Sequence, residues 1–91
     1  MKLLIAIVQD ADTQKLVKEL MSKKHRVTKL ASTGGFLKSG NTTLLIGAEE
    51  QEMEKVMNII EGTCRSREVK PGVQVGGATI FVMDIDKFKR V

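Results

Sequence analysis

Aromatic surface is scarce in this chain. Its 91 residues hold no tryptophan, no tyrosine and three phenylalanines. Cysteine and histidine occur once each, as Cys64 and His25. One cysteine excludes an internal disulfide and fits a reducing compartment, so a cytoplasmic location is expected. One histidine and one cysteine suggest no Ser-His-acid or Cys-His constellation, and no enzymatic activity is expected. CxxC, HxxxH and carboxylate-glycine loops are all missing, so no metal site and no cofactor are expected. Neither GxxxxGK[ST] nor a GxGxxG opening a helix occurs, which removes the common phosphate-loop motifs. The longest apolar run, residues 3–8, is too short to cross a bilayer and lacks a small-residue cleavage site. It reads as a buried strand, with no membrane insertion and no signal peptide expected.

The composition is 42% apolar and 29% charged, which is globular and fits one domain over residues 1–91. The formal net charge of +4 favours an anionic ligand or partner through long-range attraction. Lys23, Lys24, His25 and Arg26 form the densest basic cluster, and the two lysines suit a helix C-terminus.

Residues 2–8 are nearly all aliphatic and predict a strand apolar on both faces. Asp10 or Asp12 is placed to cap the helix that follows. Leu16, Val17, Leu20 and Met21 share a face of that helix, which ends near Lys24. Residues 26–32 and 42–47 predict two further strands. Met53, Val56, Met57 and Ile60 recur at helical spacing behind Glu49, Glu50, Glu52 and Glu54, which suit a helix N-terminus. Cys64 follows that helix as a small buried side chain. Residues 62–72 read as irregular, with a turn at Pro71-Gly72. Residues 73–83 predict a last strand interrupted at Gly76-Gly77.

The order βαββαβ defines the ferredoxin-like α+β fold: a four-stranded antiparallel sheet with two helices on one face. Two helices leave the other face bare. Yet Leu3, Ile5 and Ile7 on one side of the first strand match Leu4, Ala6 and Val8 on the other. An antiparallel sheet with a wet face alternates with polar residues. The missing alternation predicts that another copy of the chain covers that face.

Residues 32–43 stand apart. Gly34, Gly35 and Gly40 permit positive φ and close backbone approach, and successive N–H groups can line an anion-binding concavity. The connection exceeds the two to five residues of a usual hairpin. It also carries Phe36 and Leu37, an apolar pair in a loop. A planar base suits Phe36, and Asn41 can donate and accept at a base edge. Arg26 and Thr28, on the strand before the loop, add donors. Packing of Phe36 and Leu37 onto their own core or a neighbouring subunit is the alternative.

The run from Thr28 through Ala31, Gly34, Gly35, Phe36 and Leu37, then Gly40-Asn41-Thr42-Thr43, resembles the cyclic di-AMP receptor family of PII-like signalling proteins. Residues 5–10 and 75–83 resemble it as well, so the likeness covers almost the whole chain. The resemblance implies a homotrimer without catalytic activity, with a ligand in each cleft between subunits. It implies that Arg26 and Thr28 offer polar contacts, that Gly35, Phe36 and Leu37 line a base pocket, and that Asn41 bonds a base. Gly47 would bring backbone close to a phosphate, and Gly77 and Ala78 would line the cleft from the last strand. Family members often carry a long loop between the second helix and the last strand. Here residues 67–73 predict a short turn, which leaves signalling to residues 33–40.

Three other readings stand beside this one. A PII-like regulator of ATP or another adenine nucleotide is the nearest. An RNA-recognition domain shares the strand and helix order, but it would place aromatics on the open sheet face, where this chain has no Tyr or Trp to offer. A small enzyme of this architecture, such as an acylphosphatase, would need an arginine-bearing phosphate loop paired with an asparagine, which the sequence lacks. A downstream protein partner is implied but not identified, and no nucleic acid polymer is expected.

Overall fold

The computed structural model describes residues 1–30, 40–64, 67–70, 73–75, 77–87, 89 and 91. Strand β1 (Lys2–Gln9) leads into helix α1 (Asp10–Ser22), followed by β2 (Arg26–Lys29) and β3 (Asn41–Ala48). A single 3-10 turn at Glu50–Glu52 then opens helix α2 (Met53–Thr63). Short strands β4 (Arg67–Lys70) and β5 (Val73–Val75) precede the last strand, β6 (Ala78–Asp84). The main sheet runs β2-β3-β1-β6, every neighbour antiparallel. This is the expected ferredoxin-like α+β arrangement.

The nearly all-aliphatic strand β1 occupies a central position, where β3 and β6 on either side satisfy its backbone. The pleat sends alternate residues to opposite faces. Leu4, Ala6 and Val8 of β1 and Leu44, Ile46 and Ala48 of β3 turn to one side. There they pack with Leu16 and Leu20 of α1, Val56 and Ile60 of α2, and Cys64. Leu4, Leu16, Leu20, Leu44 and Val56 have no exposed surface. Each such side chain stabilises the fold by about 1.5–3 kcal/mol relative to exposure.

Helix α1 closes with paired backbone bonds, from Lys24 N–H to the Met21 carbonyl and from His25 N–H to the Leu20 carbonyl, each at 2.9 Å. That double bond pattern needs a left-handed residue, and Lys24 supplies it at φ 66°. The basic pair thus sits at the helix end, as the sequence indicates.

Four local expectations change. Met21 lies 62% exposed rather than in the core, because the helix seals the sheet through Leu16 and Leu20. Strand β2 is bounded at Lys29, with Leu30 N–H still donating to the Thr43 carbonyl; residues 31 and 32 lie outside the described residues. The N-cap of α1 is Gln9, without a side-chain cap hydrogen bond. The Asp10 carboxylate instead accepts from the Thr42 hydroxyl, and Asp12 is buried in the first turn.

The largest change follows α2. Arg67–Lys70 and Val73–Val75 pair as a separate two-stranded antiparallel sheet, with Arg67 opposite Val75 and Glu68 opposite Gln74. The predicted turn at Pro71-Gly72 falls between its strands but outside the described residues. Val73–Val75 therefore pairs with its near neighbour in sequence, which closes a small loop at low entropic cost. The last strand of the main sheet begins only at Ala78.

Candidate ligand-binding site

On the face away from the helices, Ile5 stands between Leu45 and Phe81, and Leu3 between Gly47 and Met83. Phe81 and Met83 are each about half exposed, at 51% and 50%. Ile5, Leu30, Thr43, Leu45, Phe81 and Met83 line a shallow apolar concavity of about 530 Å³. The face without helices is thus largely apolar and partly uncovered.

Of the predicted ligand residues, Arg26, Thr28, Asn41 and Gly47 fall on this face. Arg26 pairs with Gly47, and Thr28 with Leu45. Residues directly opposite in a ladder share a face. Arg26, Thr28 and Gly47 therefore occupy the open side at one edge of the sheet. Arg26 and Thr28 are exposed and Gly47 is half buried.

Asn41 belongs to the same face but opens β3 at its other end, opposite Gln9. Gly47 lies six residue steps further along the strand, or roughly 20 Å at the usual rise. Gly77 and Ala78 lie near Asn41, because Ala78 pairs with Val8. By that pairing Ala78 turns to the helix side, and half-buried Gly77 immediately precedes the strand. Gly35, Phe36 and Leu37 lie outside the described residues. The described candidates thus form two groups: Arg26 and Gly47 at one end with Thr28 between, and Asn41 with Gly77 and Ala78 at the other.

The return into β3 is tightly held. Gly40 adopts φ 88°, a left-handed value that glycine tolerates without steric cost. Its carbonyl accepts from the Asp10 N–H at 2.9 Å. Thr42, only 2% exposed, donates its hydroxyl to the Asp10 carboxylate. The sequence placed Asp10 at a helix start but carried no local sign of this partner, which lies 32 residues away.

A larger open groove of about 1010 Å³ lies on the helix side, lined by Asp10, Thr13, Val17, Lys29 and Thr42 among others. Among the described residues, none of the predicted ligand residues lines it. An exposed ion pair joins Lys2 to Asp84, across the β1–β6 ladder. The hydrogen bond and charge of Lys2 hold the Asp84 carboxyl below its ordinary range, and Asp84 raises the Lys2 ammonium in turn. Among the described residues, no three His, Cys, Asp or Glu side chains gather as a metal site. No described helix is long and apolar enough to cross a membrane.

An antiparallel α+β sandwich with an apolar open face and polar groups at its edges is the class this geometry defines. The chain belongs to the cyclic-di-AMP receptor family, which it matches over residues 1–71. Arg26, Thr28, Asn41 and Gly47 fall within the matched stretch, and Gly77 and Ala78 fall beyond it. The chain is also similar to the crystal structure of a functionally unknown protein from Pediococcus pentosaceus ATCC 25745. The two share 47% identity at a TM-score of 0.82, over 99% of this chain and 96% of that one.

Proposed function

We propose that this chain is a cytoplasmic signalling protein that binds cyclic di-AMP in clefts between the subunits of a homotrimer. Loop rearrangement at the cleft relays the signal to a partner protein, without catalysis. Membership of the cyclic-di-AMP receptor family is the observation that carries the ligand. The geometry supports the cleft. Arg26 and Gly47 stand roughly 20 Å from Asn41 along β3. A site assembled from one end of the sheet in one subunit and the other end in its neighbour brings the groups together. The half-exposed Phe81 and Met83 supply apolar surface for such packing.

In that cleft Arg26 pairs with a phosphate by charge, and Thr28 adds a hydrogen bond. Gly47 lets backbone approach the phosphate, and Asn41 reads a base edge. Gly77 and Ala78, at the start of β6, close a wall of the cleft, and the family resemblance assigns the base pocket to Gly35, Phe36 and Leu37. Micromolar affinity needs about 8 kcal/mol net. Base stacking at ~1–3 kcal/mol and charge-assisted bonds at ~1.5–3 kcal/mol reach that after ordering costs.

Isothermal titration with cyclic di-AMP tests the ligand, and light scattering tests the assembly. Saturable binding with one site per chain and a trimeric mass is the expected result. Absence of heat at high micromolar ligand overturns the ligand assignment, and a monomeric mass at micromolar protein overturns the cleft. Titrations with ATP and other adenine nucleotides separate the nearest alternative regulator.

A further inference from the structure

We propose that Asp10 is a positioning residue of the ligand site, acting through Asn41. The inference rests on the reading above in one respect, that Asn41 meets the base. Asp10 holds the residues on both sides of it. Its backbone N–H donates to the Gly40 carbonyl at 2.9 Å, and its carboxylate accepts from the Thr42 hydroxyl. Asn41 itself pairs with Gln9, the residue just before Asp10. One residue at the start of α1 thus anchors the backbone on either side of a candidate base-reading side chain.

The chemistry of Thr42 makes the anchor demanding. Thr42 turns to the helix side and is 2% exposed, while Asp10, which accepts its hydroxyl, is exposed beside the open groove that both residues line. A buried hydroxyl without an acceptor is costly. Loss of the Asp10 carboxylate therefore leaves Thr42 to find another acceptor, and the strand start turns with it. Gly40, at φ 88°, offers little resistance to that movement because glycine occupies many backbone conformations. A rigid anchor beside a permissive joint is the arrangement that fixes a binding group in advance of its ligand.

Three variants separate positioning from bulk stability. Asp10→Ala removes the acceptor, Thr42→Val removes the donor while keeping the shape, and Asp10→Asn keeps an acceptor without the charge. Cyclic di-AMP affinity is expected to fall about tenfold in Asp10→Ala and in Thr42→Val. The double variant Asp10→Ala/Thr42→Val is expected to be no weaker than either single, since both cut one bond. Asp10→Asn is expected to recover most of the affinity, and Asp10→Ala to lose preference for cyclic di-AMP over cyclic di-GMP. Additive losses, or no recovery in Asp10→Asn, overturn the proposal.

A readout without ligand keeps the two readings distinct. The side-chain amide resonances of Asn41 are expected to move and broaden in Asp10→Ala. If the wild-type chain binds no cyclic di-AMP, the ligand assignment falls. The anchor is then judged on those resonances: a shift supports it, and unchanged resonances overturn it.

Discussion

On one side of the central sheet, Leu4, Leu44 and Ile46 lie fully buried beneath α1 and α2. On the other, Phe81 and Met83 stand half exposed beside the partly buried Ile5 and Leu45. The two sides are similar in aliphatic content, and they differ in what lies against them. Hydrophobic patterning therefore specifies that a surface must be covered, but not whether the cover belongs to the same chain. A stable interface usually buries about 800 Å² per partner.

The contrast predicts a large asymmetry between substitutions. Leu44→Ala, on the sealed side, is expected to lower the unfolding free energy by about 2–5 kcal/mol in chemical denaturation, since it leaves a cavity. Phe81→Glu, on the open side, is expected to leave helical circular dichroism intact while light scattering shows the proposed trimer replaced by monomer. Equal loss of folding in both variants would break the distinction between the faces. Arg26→Ala, at the edge of the open side, is expected to weaken cyclic di-AMP binding about tenfold, the scale of one charge-assisted bond. Its melting temperature should change little, because Arg26 is exposed.

The smallest effect belongs to the exposed Lys2–Asp84 pair. The Asp84 carboxyl is lowered in the folded chain, first by the Lys2 hydrogen bond and then by its charge. Its stabilisation is present above the ordinary carboxylate pKa and fades as pH falls through the lowered folded value. The raised Lys2 ammonium gives stability below its ordinary pKa that is lost as pH rises through the raised one. Thermal melts of Asp84→Asn should therefore differ slightly from wild type at neutral pH and converge with it in strong acid.

Most of the architecture is legible in the residues because its signals are local. The aliphatic run of β1 and the spacing of Met53, Val56, Met57 and Ile60 each identify their element. The two-stranded sheet of Arg67–Lys70 and Val73–Val75 is not legible in this way. Arg67, Glu68 and Lys70 interrupt any apolar alternation, and pairing with Val73–Val75 decides the outcome. Asp10 is misread for a related reason: an acid after a strand has the local look of a cap, while its partner is distant in sequence. For the site, residue types indicate Arg26, Thr28 and Asn41. Their separation along the sheet emerges only from the β2–β3 and β1–β3 registers.

Gly47 gives this separation a sharper test. Unlike Gly40, it has no left-handed φ to accommodate. Among the described residues, a methyl group placed there would meet only the Met1 terminal methyl at 3.2 Å, the free end of a flexible side chain. Neither backbone geometry nor crowding among the described residues demands glycine at this strand position. Alanine there is expected to leave the melting temperature unchanged or slightly higher, since glycine weakens a strand by roughly 0.5–1 kcal/mol. Cyclic di-AMP titration of Gly47→Ala should nonetheless show weaker binding. That pair of outcomes would make the space at Gly47 a clearance for the ligand rather than for the fold.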